Sequence, residues 1–486
     1  MELLNKSIYN KKERPIKVLQ FGEGNFLRAF VEWIIQGMND ADVFNGSVAV
    51  VQPMPFGRIK ELGEQDGLYT LYLEGLQNGK TVKQHQVIDV LGDYINPFAD
   101  YDKYLGYAKS EDLQFIISNT TEAGIALDPT DLDLTVTPKS FPGKLLAFLK
   151  TRYDYFNGDF GKGLFIIPCE LIDYNGAELK RVLVELAKIH NMDEKFIDWM
   201  VNANKYYNTL VDRIVPGYPR DQINEIEQEL GYKDNNIVKG EIFHLWVIEG
   251  DPSIQEVFDP RKAGLNVVFT DNIKPYKERK VKILNGSHTA MVPVSYLYGI
   301  DTVRETIEDE LMGKYVKLFV YKEVVPTINL PKDEMQFFAD SVLERYGNPF
   351  VRHELMSIAL NSTTKYVTRI LPTVLDFYRN TNKIPTVAAF SFAALCVFYK
   401  GDRNGTPIKL QDNPEYLDMW KDLWSKVDGS QESIVNFVEN LLAHDEIWGL
   451  NLNTLGDFKA QVINGISSIL ENGMKASIEG VVNNHE

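Results

Sequence analysis

Three polar residues close together in the sequence, Lys280, Asn285 and His288, have the side chains that reduction of a carbonyl requires. When hydride reaches a carbonyl carbon, the oxygen gains negative charge and then a proton. A lysine ammonium can give that proton, an amide N–H can stabilise the oxyanion, and a histidine can orient either. On a helix, at roughly 100° per residue, the three fall within an arc of about 140°. Lys282 is a rival for Lys280. It lies about 120° from His288 on the wheel, against about 80° for Lys280, and that margin does not decide between them. The same residues also have ordinary uses: a solvated lysine, a turn-capping asparagine and a histidine bonded to backbone.

A second feature is the turn Gly22-Glu23-Gly24-Asn25-Phe26-Leu27-Arg28, which follows the apolar run Ile16–Phe21 and precedes a helical pattern. Glycines in a strand-to-helix turn let the backbone approach a pyrophosphate, and the N–H groups of the helix point at the anion. Phe21, Gly22, Gly24, Asn25, Phe26 and Arg28 are therefore the candidate contacts to a nicotinamide dinucleotide. Leu27 stands where a third glycine would be, so the bare pattern reads equally well as a tight turn. Its place after the first strand favours the phosphate. The run Ser47–Gln52 ends at Gln52-Pro53, where NAD-binding folds commonly carry Asp or Glu for the ribose hydroxyls. Arg58 lies downstream and could meet a 2′-phosphate, so these residues leave NAD and NADP both open.

The elements that must position these groups follow from the periodicity. Ile16–Phe21, Ser47–Gln52, Phe115–Ser118 and Leu164–Pro168 are short runs of Val, Ile, Leu and Phe, the pattern of buried parallel strands. Helical spacing between them, as in Phe26–Met38, predicts a doubly wound parallel sheet. Gly67–Leu76 reads as an additional strand. Beyond about residue 275 helical patterns dominate: Lys280–Leu297, Val303–Val320, Met335–Tyr346, His353–Ser362, Tyr366–Asn380, Pro385–Tyr399, Ser433–His444 and Asn453–Glu471. The expected organisation is an α/β Rossmann-type domain over 1–274 and a mainly α-helical substrate and catalytic domain over 275–486, with a boundary in the turn chemistry of DNIKPY.

Composition bounds the function classes. The 486 residues carry 51 Lys and Arg against 68 Asp and Glu, a net charge of −17, which argues against a nucleic-acid partner. No apolar run is long enough to span a membrane, and the N-terminus lacks the apolar core of a signal peptide. The two cysteines, Cys169 and Cys396, read as reduced thiols of a cytoplasmic protein. His85, His190, His444 and His485 have no Cys, Asp or Glu at ligand spacing, so no metal site is expected.

The chain resembles the mannitol dehydrogenase family of polyol-specific long-chain dehydrogenases over nearly its whole length. The resemblance rests on FGEGNFLRAF (Phe21–Phe30), NTLVDRIVP (Asn208–Pro216), PYKERKVKILNGSH (Pro275–His288) and EVVPTINLP (Glu323–Pro331). It implies a Rossmann-type domain, a mainly helical C-terminal domain, an active site in the cleft between them, and metal-independent hydride transfer between NAD(P) and a sugar carbonyl. The catalytic lysine of the family then falls on Lys280, its oxyanion asparagine on Asn285 and its histidine on His288. NAD is the expected cofactor on this resemblance.

Two departures from the mannitol enzymes matter. Cys169-Glu170-Leu171 stands where those enzymes read C-D-N, which removes one oxyanion amide, and nearby Asn175 is the candidate replacement. Phe398 takes the place of an arginine in a late W-x-R-Y-like stretch. SNTTEAGI (Ser118–Ile125), IPCELIDYNG (Ile167–Gly176) and EIFHLWVIEG (Glu241–Gly250) point within the family to a subgroup acting on a hexuronate. The expected reaction interconverts a keto-hexuronate and its aldonate. A charged substrate end on an acidic protein needs a local cationic subsite, and Arg352, Lys365 and Arg369 are its candidates. His244 and His353 could line the cleft. Fructuronate or mannitol oxidoreduction would use the same scaffold. A non-catalytic NAD-binding sensor would be expected to lack part of the lysine, asparagine and histidine set, which is complete here. The oligomeric state is open.

Overall fold

The computed structural model describes residues 1–121 and 123–484, so His485 and the Glu122 of SNTTEAGI lie outside it. The chain folds into two compact units. One comprises Met1–Gly75 and Thr81–Ile273, the other Leu76–Lys80 and the chain from Lys274 onward.

The first unit is built on a parallel sheet of six strands: β1 (Ile16–Phe21), β2 (Ser47–Val51), β3 (Leu91–Ile95), β4 (Phe115–Ser118), β5 (Phe165–Pro168) and β6 (Lys205–Tyr206). Their order is β3-β2-β1-β4-β5-β6, the doubly wound arrangement of dinucleotide-binding folds. In β1, Val18 packs into the core on one face, while Leu19 and Phe21 pack into the core on the other. That two-sided burial is why these strands read as continuous apolar runs rather than alternating ones. Leu19 pairs with Ala49, and Phe21 pairs with both Val51 and Ser118, so β1 is central. The order reverses between β1 and β4, the switch point at which open α/β sheets bind ligands.

The helical run expected over Phe26–Met38 is two helices, α1 (Asn25–Ala29) and α2 (Val31–Asp40), separated at Phe30, whose φ and ψ are −125° and −76°. Two three-stranded sheets complete the unit. One pairs Tyr69–Gln77 with Lys80–Ile88 and Val238–Glu241. The other pairs Leu245–Glu249 with Asn208–Asp212 and Val267–Thr270.

The second unit is mainly helical. It contains α3 (Lys274–Arg279), a π-helical turn (Lys280–Asn285), α4 (Gly286–Tyr298), α5 (Lys332–Tyr346), α6 (Ser362–Arg369), α7 (Leu371–Thr381), α8 (Thr386–Phe398) and α9 (Phe458–Asn483), among others. Every residue of α8 from Val387 to Phe398 is buried, as expected of a helix that is apolar all round. It packs against α4 and α9. Gly465 of α9 allows that approach, because a Cβ there would lie 2.6 Å from the Cβ of Ala393. Ser391 Oγ donates to the carbonyl of Ala290, fixing α8 to the helix that carries His288. The helix expected over Tyr366–Asn380 is interrupted at Ile370, because Pro372 has no N–H to give the preceding turn. His353–Ser362 yields only the short helix Leu355–Ile358.

Candidate functional site

The first group of candidate residues lies at the C-terminal end of β1. Gly22 has φ +113°, and a Cβ there would sit 2.8 Å from the carbonyl oxygen of Asn119, so only glycine fits without a backbone shift. Gly24 is exposed, and a Cβ on it would meet nothing within 4 Å. The turn thus has a closed side against β4 and an open side where a bulky anion can approach the backbone.

The four other residues expected to touch a dinucleotide have contacts within the protein. The Phe21 ring is fully buried between Tyr104 and Phe141. Arg28 is also fully buried. Its guanidinium donates to the carbonyls of Glu23 (3.2 Å) and Asn236 (2.6 Å) and to Asn25 Oδ1 (2.7 Å). Arg28 and Asn25 therefore brace the turn through side chains bonded within the protein. Phe26 stacks on Phe30 at 5.1 Å. Asn175 is likewise engaged within the protein. It is fully buried, and its Nδ2 faces the carbonyls of Pro168 and Glu170 at 3.0 Å each, so the amide proposed as a spare oxyanion donor is already bonded. Glu170 accepts from Ser118 Oγ and from the N–H and Oγ1 of Thr120, tying the ends of β4 and β5 together.

The second group lies in the second unit. Lys280, Lys282 and Asn285 fall in the π-helical turn, not on a regular helix. The 100° wheel therefore misplaces them, since each π turn takes an extra residue. Lys282 is buried, and its Nζ lies 2.7 Å from Asp376 Oδ2 on α7. Lys280 is half-buried at the start of the same turn.

His288 stands on α4 with its ring 4.3 Å from that of Tyr346 and 5.1 Å from that of His353. The Tyr346 hydroxyl donates to the carbonyl of Leu284 and shares a 2.7 Å hydrogen bond with Ser287 Oγ, which locks the end of α5 onto the start of α4. His288 Nε2 is buried without a hydrogen-bond partner among the described residues. A buried polar atom of this kind is rare and points to a missing partner such as a substrate oxygen. Burial first, and then the positive charges of His353, Arg345, Arg369 and Lys365, hold this imidazole well below its usual pKa.

Lys365 and Arg369 lie one turn apart on α6. Arg369 Nη1 is 3.4 Å from Thr289 Oγ1, and Lys365 Nζ donates to the carbonyl of Ile358. Burial lowers the pKa of both, and Arg369 lowers that of Lys365 further. Gly286 makes room for the end of α6, since a Cβ there would lie 3.1 Å from the Arg369 carbonyl oxygen. The structure thus brings His288, His353, Lys365 and Arg369 together and leaves Arg352 out. Arg352 has a side chain 73 % exposed and pairs with Glu354, the ordinary behaviour of a surface arginine. Arg345 also acts on His288, and no local pattern singles it out in the sequence.

Among the described residues no group of three or more His, Cys, Asp or Glu side chains is placed to hold a metal ion. No helix among them is long and apolar enough to cross a membrane. His190 Nε2 lies 2.7 Å from the Asp131 carbonyl, and His244 accepts from the N–H of Asn266, both structural contacts.

Comparison with known proteins extends this picture. The mannitol dehydrogenase Rossmann domain matches residues 16–258, and the mannitol dehydrogenase C-terminal domain matches residues 272–470. An altronate oxidoreductase of Phocaeicola vulgatus is 44 % identical over 484 residues, covering 99 % of this chain and all of that protein. A D-sorbitol dehydrogenase in substrate-free form superposes with a TM-score of 0.81 at 22 % identity, covering 98 % of this chain and 100 % of that one. Mannitol 2-dehydrogenase of Pseudomonas fluorescens, in a ternary complex with NAD and D-mannitol, gives a TM-score of 0.66 at 23 % identity over 99 % of both chains. At these identities the two structures speak to the fold.

Proposed function

The chain belongs to the mannitol dehydrogenase family and is an NAD-dependent oxidoreductase, and we propose that it interconverts tagaturonate and altronate with Lys280 as acid and base and without a metal. The observation that carries this reading is the cationic cluster at His288. Arg345, Lys365 and Arg369 all act on that imidazole in a protein of net charge −17. A neutral polyol needs no such field, whereas a uronate carboxylate buried without a cation would cost several kcal/mol. The full-length match to altronate oxidoreductases agrees with it.

The turn at Gly22 and Gly24 suits a dinucleotide, because its exposed side is open and its buried side tolerates no side chain. When bound, the nicotinamide supplies or accepts the hydride at the carbinol carbon. Everything else falls to the protein. Lys280 gives a proton to the developing alkoxide in reduction and removes it in oxidation. The Asn285 amide donates to the same oxygen as its charge grows. His288, kept neutral by its surroundings, offers the unpartnered Nε2 to a substrate hydroxyl or to the reacting oxygen and so fixes the pose. Lys365 and Arg369 take the carboxylate. Incubation with tagaturonate and NADH should yield altronate, identified by NMR against an authentic standard. Consumption of NADH without altronate would count against the assignment.

A further inference from the structure

The usual ribose-binding acid is missing from the end of β2, and a carboxyl group from the turn after β1 lies close to that position. In NAD-binding folds an Asp or Glu at that position accepts hydrogen bonds from the adenosine ribose and repels a 2′-phosphate. Here the position holds Gln52, which is buried and whose Nε2 donates to the carbonyl of Met54. Directly above lies the carboxyl group of Glu23, the residue between the two glycines of the β1 turn. Its Oε1 accepts the N–H of Arg58 at 3.2 Å, so this side chain reaches from the first turn to the loop after β2. Gly57 shows how closely the groups meet. A Cβ on Gly57 would lie 2.1 Å from Glu23 Oε1 and 2.6 Å from Gln52 Oε1, so the two side-chain heads share the space over that glycine.

The cation nearby is committed elsewhere. The Arg58 guanidinium donates to the Asn235 carbonyl (2.9 Å) and to Asn236 Oδ1 (3.2 Å), not toward an incoming phosphate. The backbone of Glu23 is itself held, since its carbonyl accepts from buried Arg28.

We propose that Glu23 stands in space for the missing acid of β2, accepting the ribose hydroxyls of NAD and excluding the 2′-phosphate of NADP. This assignment rests on the reading of the β1 turn as the dinucleotide site. It accounts for the close meeting of Glu23 and Gln52 over Gly57, where a side chain would displace the carboxyl group.

The test is equilibrium binding of NADH and of NADPH, each titrated by fluorescence or calorimetry, with no substrate and no turnover. The wild-type protein should bind NADH at least about tenfold more tightly than NADPH, a difference of about 1.4 kcal/mol. Glu23→Gln keeps the shape and an oxygen for the Arg58 N–H while removing the charge, and it should shrink that ratio by at least about fivefold. Gly57→Ala, whose methyl would push the carboxyl group aside, should shrink it as well. A structural staple would behave differently, weakening both dinucleotides equally. A ratio unchanged in both variants, with NADH still bound by the wild type, overturns this inference alone. A wild-type protein that binds neither dinucleotide overturns the cofactor site as well.

Discussion

Lys282 Nζ sits 2.7 Å from Asp376 Oδ2, with the lysine side chain only 4 % exposed. This ion pair ties the π-helical turn to α7. Asp376 is further held by Arg379 at 2.6 Å. Lys280, two residues earlier, is the lysine assigned the chemistry. Lys280→Ala should lower kcat by about 10²-fold or more, the usual contribution of general acid–base catalysis, with NADH affinity nearly unchanged. Lys282→Ala should instead lower stability by about 1–3 kcal/mol, as expected when one partner of a buried polar contact is removed. Steady-state kinetics and urea denaturation of both variants decide the matter. A stable, inactive Lys282→Ala beside an active Lys280→Ala would transfer the role.

At the β1 turn the two glycines should fail in different ways. Gly22→Ala forces a side chain into φ +113° and against the Asn119 carbonyl, so both stability and NADH binding should fall. Gly24→Val adds bulk only on the open side. It should leave the denaturation midpoint within about 0.5 kcal/mol of wild type and weaken NADH binding by tenfold or more. Unaltered NADH affinity in Gly24→Val would remove the pyrophosphate from this turn.

The carboxylate subsite predicts a split between substrates. Arg369→Leu and Lys365→Met should each lower kcat/KM for tagaturonate by at least about tenfold while sparing whatever weak activity exists with fructose. Equal losses on both substrates would assign these residues to structure, and no loss would take α6 out of the substrate site.

A buried carboxyl group makes a pH prediction. Glu323 accepts from the N–H groups of Val387 and Ala388 at the start of α8, and burial pushes its pKa up to about 8. The ordinary carboxyl pKa is about 4.3 in an unfolded chain. Between those values the folded state binds more protons than the unfolded state, so stability falls as pH rises through this window. Glu323→Gln removes the titration. The difference in melting temperature between wild type and variant should therefore change steadily between about pH 5 and pH 8, in favour of wild type at the acid end. A constant difference across that range would show that Glu323 does not titrate there.

The parallel strands were legible because burial on both faces leaves continuous apolar runs. Ile16–Phe21 and Phe115–Ser118 match their expected limits. Leu91–Ile95 was not legible, since Gly92, Asp93 and Tyr94 break its apolar pattern, and neither was the two-residue strand Lys205–Tyr206. The break at Phe30 lies inside an unbroken apolar pattern and has no sequence signal, whereas Pro372 marks the break at Ile370. The residue types of the candidate site were visible, but their geometry was not. A π-helical turn has no periodic signature, so a 100° wheel misplaces both Lys280 and Lys282. Arg352 and Arg369 look alike in sequence. Only packing shows that one faces solvent beside Glu354 and the other lies beside Thr289 near His288.

The substrate assignment is tested most directly by kcat/KM measured through NADH absorbance with tagaturonate, fructuronate and fructose offered separately. Tagaturonate should come first, fructuronate behind it, and fructose lower than either uronate by at least about 10²-fold, because a neutral sugar brings no carboxylate to Lys365 and Arg369. Fructose turned over as well as tagaturonate would contradict the assignment.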